Sequence, residues 1–233
     1  MPTILAIETS SELASCALLR GGVLTSRESS GVRTHSQAML PMVQALLADA
    51  GIALAEVDAI AYGAGPGSFT GVRTAAGIVQ GLAFGAGLPV LPVVTLAAMA
   101  ESCRAATGAG EVLAVLDARM GEVYWARYRF DAIDGWQVLD APALAAPGAV
   151  PQFATATACG NGLTAYPDAF AAPTDIAAAI HPHAASIATL ATIDFAAGRA
   201  VTAAEAQPLY LRNKIAFTSA ERQVINASKA QAA

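Results

Sequence analysis

The sequence predicts an α/β protein made of two similar lobes, each a mixed β-sheet flanked by helices. Two observations carry this prediction. Segments with strand and helix periods follow one another in the order β-β-β-α-β-α-β, and the second half of the chain begins much as the first half does. A length of 233 residues, 55% of them hydrophobic and 13% charged, is enough to bury a core in one large domain or two small ones.

The first lobe is predicted to begin with three strands and a helix. TILAIETS is apolar and strand-like, and ASCALLRGGVLTSRES supplies two more strands around the turn Gly21–Gly22. In THSQAMLPMVQALLADAG the period changes to that of a helix, with Ser36 as its cap and Gly51 as its end. The apolar stripe of this helix consists of Leu40, Val43, Leu47 and Ala50.

The rest of the first lobe alternates strands with helices. VDAIAYGAG predicts a strand, GPGSFTGVRTAAGIVQGLAFG a helix with a glycine-rich start, and LPVLPVV a buried strand. The uncharged stretch Ala75–Val94 has the length of a membrane span, but it is interrupted by Gly85, Gly87, Pro89 and Pro92. We therefore expect no membrane segment in this stretch.

The second half of the chain echoes the first. EVLAVLDARMGEVYWARYRF has an apolar strand that ends in Asp117, a polar turn and a second strand, as the start of the chain has with Glu8. This pattern predicts a duplication, with lobes at 1–107 and 108–217 and a flexible polar tail at 218–233. LDAPALAAPGAVPQFATATACGNGLTAYPDAF is predicted to be rich in loops, and HPHAASIATLATIDFAAG to form a helix that ends near Gly198.

Charge and cysteine content exclude several classes of protein. A net charge of −5 argues against broad, sequence-independent binding to nucleic acid, which requires clustered lysine and arginine. The scattered Cys16, Cys103 and Cys159 provide neither a disulfide framework nor a metal knuckle. A reducing cytoplasm is the expected setting, since the first residues do not resemble a secretion signal.

The start of the second helix admits two interpretations. Ser68, Thr70 and Arg73 cluster where free backbone amides and the helix dipole favour an anion. The alternative is a smooth surface on which another helix packs, since glycines recur there every four residues. These glycines are Gly77, Gly81 and Gly85.

These segments resemble the TsaB family, a subunit of the bacterial machinery that makes N6-threonylcarbamoyladenosine in transfer RNA. The resemblance covers most of the chain up to about residue 217. It lies in ILAIETSSELASCALL, THSQAMLPMVQALL, GAGPGSFTGVRTAAGIVQGLAFG, LPVLPVVTLAAMA, LDARMGEVYWARY and AQPLYLRNKIA. It implies two ribonuclease-H-like lobes of the actin-like ATPase and sugar-kinase superfamily, and a paralogous catalytic partner, TsaD.

The resemblance also implies that this chain lacks the metal site of TsaD, where two histidines are spaced HxxxH. Thr95 and Met99 occupy the corresponding positions, and neither offers an imidazole ligand. We therefore expect no catalytic residue, metal or cofactor in this chain itself. ATP or ADP would bind at the boundary with TsaD.

The function implied by the resemblance is that of a cytoplasmic, non-catalytic subunit. It would bind and organise TsaD for threonylcarbamoyl transfer to adenosine 37 of transfer RNAs that read codons beginning with adenine. TsaE is a further expected partner, two copies of the chain would pair in the absence of TsaD, and transfer RNA would be reached only through the complex. The expected partner interface consists of His35, Leu40, Val43, Leu47, Arg73, Gly77, Gly81 and Gly85.

Two other functions remain as alternatives. The first is a small actin-like ATPase or kinase that uses Glu8 and Asp117. The candidate nucleotide or phosphate contacts are Glu8, Thr9, Ser10, Ser68, Thr70 and Asp117. The second is a peptidase, but neither Cys103 nor Cys159 has a partner base that the sequence identifies.

Overall fold

A computed structural model of the protein describes residues 1–29, 35–170 and 176–212. Its α-helices are α1 (His35–Asp49), α2 (Phe69–Ala86), α3 (Thr95–Thr107), α4 (Asn161–Ala165) and α5 (Ala184–Ala196). Its strands are β1 (Ile4–Glu8), β2 (Ala14–Arg20), β3 (Val23–Ser29), β4 (Ala59–Gly65), β5 (Val90–Val94), β6 (Glu111–Arg119), β7 (Glu122–Asp131), β8 (Gly135–Ala145), β9 (Thr157–Cys159) and β10 (Ile176–Ala177). The tail predicted at 218–233 lies outside the described residues.

The first lobe is built on a mixed five-stranded sheet, as predicted. The strand order is β3-β2-β1-β4-β5. Strand β2 is antiparallel to β1 and β3, whereas β4 is parallel to β1 and β5. The turn between β2 and β3 contains Gly21 and Gly22, both with positive φ, so the predicted hairpin is confirmed.

Helices cover both faces of this sheet. Because successive side chains of a strand point to opposite faces, Leu5 and Ile7 pack with α1 and α2. Ile4 and Ala6 pack against α5 on the other side. The first lobe therefore has three layers: α1 and α2 on one face of the sheet, the sheet itself, and α5 on the other face.

The second sheet repeats the first. Its strand order is β8-β7-β6-β9-β10, with β7 antiparallel to β6 and β8, and β9 parallel to β6 and β10. Strands β1 and β6 hold equivalent central positions, and they carry Glu8 and Asp117 near their ends. The equal order and directions confirm the predicted duplication.

Helix α3 joins the two lobes. Its residues Leu96, Met99 and Cys103 pack against β6 and β7 of the second sheet. Ala98 belongs to the apolar cluster between α5 and the first sheet. The helix ends at Gly108, which has a left-handed φ of 77°.

After β10 the chain returns to the first lobe, which corrects the predicted contiguous second lobe at 108–217. Helix α5 covers the first sheet, Val201 forms an antiparallel bridge with Val90, and the amide of Leu209 donates to the carbonyl of Ala64 at 2.7 Å. Periodicity predicts a helix at α5 correctly, but it carries no information about which sheet the helix covers.

Strand β8 departs from the loop-rich structure expected between residues 139 and 170. It pairs antiparallel with β7 over most of its length. Its side chains are half-buried or exposed, so the sequence lacks the sharp alternation that identifies a strand.

The stretch Ala75–Val94 divides into the end of α2, a left-handed cap at Gly87 and β5. Among the described helices, none combines the length and hydropathy needed to cross a membrane.

Candidate functional site

Helix α2 begins where the turn after β4 packs against the turn after β1. Ser68 caps the helix, because its Oγ accepts a hydrogen bond from the amide of Gly71 at 3.4 Å. The amide of Ser68 in turn donates to the carbonyl of Ser10 at 2.8 Å. A Cβ on Gly71 would lie 2.0 Å from the carbonyl oxygen of Thr9, so glycine is needed here for packing within the chain.

Further along α2, three glycines have no such role within the chain. Gly77, Gly81 and Gly85 are exposed, and a Cβ at any of them would meet no atom of residues 1–29, 35–170 and 176–212 within 4 Å. Glycine in a helix interior costs about 1 kcal/mol relative to alanine. These glycines therefore lower the stability of the helix, and no contact within the described part of the chain requires them.

Apolar side chains flank the glycines on the outer surface of the first lobe. Helices α1 and α2 are in contact on the same face of the sheet. Leu40 of α1 is 43% exposed and Phe84 of α2 is 84% exposed. We name the exposed residues Leu40, Arg73, Gly77, Gly81, Phe84 and Gly85 the α1–α2 face.

Two residues of the predicted interface lie in the core instead. Val43 and Leu47 are buried against the first sheet, so the surface role expected of them is corrected. Leu40, Val43 and Leu47 lie on one side of α1, since they are three and four positions apart, but Leu40 is at the edge of the buried side and stays 43% exposed. His35 is half-buried at the start of α1, with its Nε2 3.3 Å from the carbonyl oxygen of Glu12.

Arg73 is held at the start of α2 by two aromatic residues. Its guanidinium carbon lies 3.4 Å from the ring centroid of Phe69. Its Nε donates to the hydroxyl of Tyr210 at 2.6 Å. This arrangement fixes an exposed cation beside the α1–α2 face, and Tyr210 is far away in the sequence.

An interlobe cleft of about 340 Å³ opens beside the start of α2. The turn after β1, the start of α2, the end of β6 and the segment around Tyr210 form its walls. The polar and charged residues that line it are Ser10, Ser11, Glu12, Ser68, Asp117, Arg119, Tyr124, Asn161, Tyr210 and Arg212. Of the predicted nucleotide contacts, the structure thus brings Ser10, Ser68 and Asp117 together.

The carboxylates that line the cleft are already paired. Asp117 accepts hydrogen bonds from the amide of Arg119 and from the hydroxyl of Tyr166, and forms an ion pair with the Arg119 guanidinium at 3.1 Å. Glu12 contacts Arg119 at 3.3 Å and Asn161 at 3.2 Å. Both carboxylates therefore have partners within the cleft.

Glu8 and Thr9 lie behind the cleft rather than in it, which corrects their predicted role as contacts. Both are fully buried. Oε1 of Glu8 accepts from the amide of Ser10 at 2.5 Å, and Oε2 has no hydrogen-bond partner among the described residues. Burial raises the pKa of this carboxyl above its ordinary value of 4.5, and the hydroxyl and amide of Ser10 oppose this rise only in part. Thr9 Oγ1 donates to the carbonyl of Gly71 at 2.7 Å.

Three other residues that the sequence analysis named lie outside the cleft or in the core. Thr70 is exposed on the first turn of α2, outside the residues that line the cleft. Thr95 is buried at the start of α3, where its Oγ1 accepts from the amide of Gly65 at 3.1 Å. Met99 is buried against the second sheet. In the part of the chain that the structure describes, no three His, Cys, Asp or Glu side chains are grouped so that they could hold a metal ion.

Sequence reasoning missed Glu12, Asn161, Tyr210 and Arg212, which complete the cleft. They come from segments that are distant in the sequence: Glu12 and Asn161, which are hydrogen-bonded to each other, are 149 positions apart. At the turn after β6, Arg119 and Met120 both have positive φ, an unusual conformation for residues other than glycine, and it is seen in the structure and not in the sequence.

Comparison with known proteins places the chain in a family. The family model TsaD, described as tRNA N6-adenosine threonylcarbamoyltransferase, matches residues 20–228. The tRNA threonylcarbamoyladenosine biosynthesis protein TsaB of Escherichia coli (strain K12) is 40% identical over 222 residues, which are 92% of this chain and 96% of the relative. The protein of the same name from Haemophilus influenzae is 39% identical over 228 residues, 92% of this chain and 95% of the relative.

The fold agrees with this comparison. The solved structure of YeaZ from Pseudomonas aeruginosa matches with a TM-score of 0.84 and 42% identity, over 91% of this chain and 100% of that one. The chain therefore belongs to the TsaB family of tRNA threonylcarbamoyladenosine biosynthesis proteins, with two ribonuclease-H-like lobes of the actin-like ATPase and sugar-kinase superfamily.

Proposed function

We propose that this chain is a non-catalytic subunit that binds TsaD through the α1–α2 face. Its role is to organise TsaD for threonylcarbamoyl transfer to adenosine 37 of transfer RNAs that read codons beginning with adenine. The observation that carries the proposal is the row of exposed glycines at 77, 81 and 85, which no contact among the described residues requires.

The glycines favour another helix as the occupant of this surface. Residues four apart lie on one side of a helix, and the absence of side chains there lets a second backbone approach closely. Phe84 and Leu40 add apolar surface beside the glycine row. Burying this surface against a partner removes it from water and favours binding. Arg73 supplies a cation held in one orientation. The face thus combines shape, apolar area and charge.

The non-catalytic role is supported by the chemistry of the residues that an active site would need. Glu8 is buried with a raised pKa, Asp117 is already bonded by Arg119 and Tyr166, and Thr95 and Met99 are core residues. No observation favours the alternative in which Glu8 and Asp117 serve an ATPase or a kinase. A peptidase gains no support either, since the sulfurs of Cys103 and Cys159 are buried.

The remaining partners follow from the same proposal. TsaE engages the pair of this chain with TsaD, two copies of this chain pair through the α1–α2 face when TsaD is absent, and transfer RNA binds only to the complex. ATP or ADP binds at the boundary with TsaD and not in this chain alone. The protein works in the cytoplasm. By binding TsaD, it shifts the population of TsaD conformations toward the one that is competent for transfer.

Substitution of Gly81 by leucine tests the interface. The new side chain would stand on an open surface, so the fold should persist and affinity for the cognate TsaD in titration calorimetry should fall. Ala105→Leu is the matched control, because Ala105 is exposed on α3, outside the α1–α2 face. Equal affinity of the wild type and of both variants for TsaD would remove the assignment.

A further inference from the structure

Residues 206–212, which we name the strap, run along the first lobe and end on the second. The backbone of the chain crosses between the two sheets at 107–111 and again at 177–184. The strap adds a third connection, which is made by hydrogen bonds and packing alone. It also forms one wall of the interlobe cleft, through Leu209, Tyr210, Leu211 and Arg212.

The first lobe holds the strap at several points. The hydroxyl of Tyr62 donates to the carbonyl of Gln207 at 2.9 Å, and the amide of Leu209 donates to Ala64 in β4. A Cβ on Gly65 would lie 2.9 Å from the carbonyl oxygen of Leu209, so the strap approaches β4 as closely as a glycine permits.

Three of the contacts come from α2, the helix that carries the glycine row. The side-chain amide of Gln80 donates to the carbonyl of Ala206 at 2.8 Å. Arg73 donates to Tyr210, whose ring also packs against Phe69 with a centroid separation of 6.0 Å. Any displacement of α2 at these residues therefore acts directly on the strap.

The other end of the strap is bound to the turn after β6 in the second lobe. The guanidinium of Arg212 donates to Glu122 at 2.5 Å, to the carbonyl of Arg119 at 3.2 Å and to the sulfur of Met120 at 3.1 Å. Its side chain is only 13% exposed, and hydrogen bonds from charged, poorly hydrated groups are the stronger ones. The same turn holds Arg119, whose side chain reaches Glu12 of the first lobe.

We propose that the strap couples α2 to the second lobe and sets the width of the interlobe cleft. Arg212 is its attachment to the second lobe, and Tyr62, Gln80 and Arg73 are its attachments to the first. When the strap is bound at both ends the cleft keeps the width seen in this structure, and when either end is released the lobes separate around α3. The coupling is a property of this chain alone and holds whether or not TsaD is the partner on α2.

The distance between the lobes tests the proposal. Ile193→Cys on α5 and Val138→Cys on β8 place spin labels on exposed sites of the two lobes, and the native cysteines are buried. Labelled protein is diluted with unlabelled chain so that pulsed electron resonance reports distances within one molecule. We expect a narrow distribution in this background, and a broader one with a longer mean distance when Arg212→Ala is added.

Two further variants make the result specific. Arg199→Ala is the matched control, because Arg199 pairs with Asp194 within the first lobe, and it should leave the distribution unchanged. Tyr62→Phe removes one hydroxyl at the other end of the strap and should raise the hydrogen-exchange rate of the Leu209 amide by about tenfold. An identical distribution in the Arg212→Ala variant, or unchanged exchange at Leu209 in the Tyr62→Phe variant, would overturn the proposal.

Discussion

Glu8 and Gly63 face each other on the adjacent parallel strands β1 and β4, and a Cβ on Gly63 would lie 1.8 Å from Oε2 of Glu8. The carboxyl therefore occupies the space that a side chain on β4 would need. Since Oε2 has no hydrogen-bond partner among the described residues, this contact is one of shape and not of bonding.

The substitution Gly63→Ala should accordingly destabilise the protein. The methyl group must displace either the Glu8 carboxyl or the strand, and overpacking of this kind costs about 1–3 kcal/mol of unfolding free energy. Urea unfolding measures the change. Gly110→Ala is the control, because a Cβ there meets no atom within 4 Å, and its effect should stay within about 0.5 kcal/mol.

The raised pKa of Glu8 predicts a pH dependence of stability. Above pH 4.5 the unfolded chain has released this proton, whereas the folded chain keeps it until the pH passes the raised pKa. The folded state then binds more protons than the unfolded state, so this residue's contribution to stability falls as the pH rises through that window.

The substitution Glu8→Gln removes the titrating carboxyl. Comparison of the variant with the wild type should therefore isolate the contribution of Glu8 to the pH dependence of stability. The free energy of unfolding of the variant, relative to that of the wild type, should increase as the pH is raised from 5 to 8 across the window that begins at the ordinary value of 4.5. Other titrating groups are common to both proteins and cancel in the difference. A difference that does not change between these pH values would contradict the burial of an ionisable carboxyl at this position.

Gly81→Ala should separate stability from binding. A methyl group meets no atom of the chain, and alanine favours the helix, so the isolated protein should gain about 0.5–1 kcal/mol in unfolding free energy. Affinity for TsaD should fall, because the methyl group holds the partner backbone away. Ala105→Gly on α3 should have the opposite effect on stability and none on binding; a variant at Gly81 that gains stability and keeps full affinity would show that the glycine row is not a contact.

Leu40 and Leu47 should behave differently although both are leucines of α1. Leu47 is buried at 8% exposure, and its replacement by alanine should cost about 2–4 kcal/mol of unfolding free energy. Leu40 is on the surface, so Leu40→Ala should change stability by less than about 0.5 kcal/mol but weaken the binding of TsaD. Thermal unfolding and calorimetry distinguish the two, and a large loss of stability in Leu40→Ala would place that residue in the core.

The sequence predicts the fold well because its signals are local. Strand periods, the glycines at 21 and 22, and the break in the helical pattern at Gly87 each act within a few residues. The duplicated order of elements then restricts the arrangement of the sheets. Strand β8 escaped prediction because it lies at the edge of the second sheet and has no alternating pattern of burial.

The site is predicted only in part because its contacts are distant in sequence. The glycines of α2 are visible as a row, but the cleft and the strap depend on pairs such as Tyr62 and Gln207, which are 145 positions apart. Periodicity also could not decide which residues on the apolar side of α1 are covered, since Leu40 and Val43 lie on that side and are both apolar. Packing on the sheet makes that decision.

The most direct test of the proposed function is formation of threonylcarbamoyladenosine in a reconstituted system. The mixture contains the cognate TsaD and TsaE, an enzyme that makes threonylcarbamoyl-adenylate, its substrates threonine, bicarbonate and ATP, and transfer RNA. To this mixture is added the wild-type chain, the Gly81→Leu variant, the Ala105→Leu variant or nothing. We predict product with the wild type and Ala105→Leu, little with Gly81→Leu, and none when the chain is absent. Equal product with and without the chain would contradict an organising subunit that acts through the α1–α2 face.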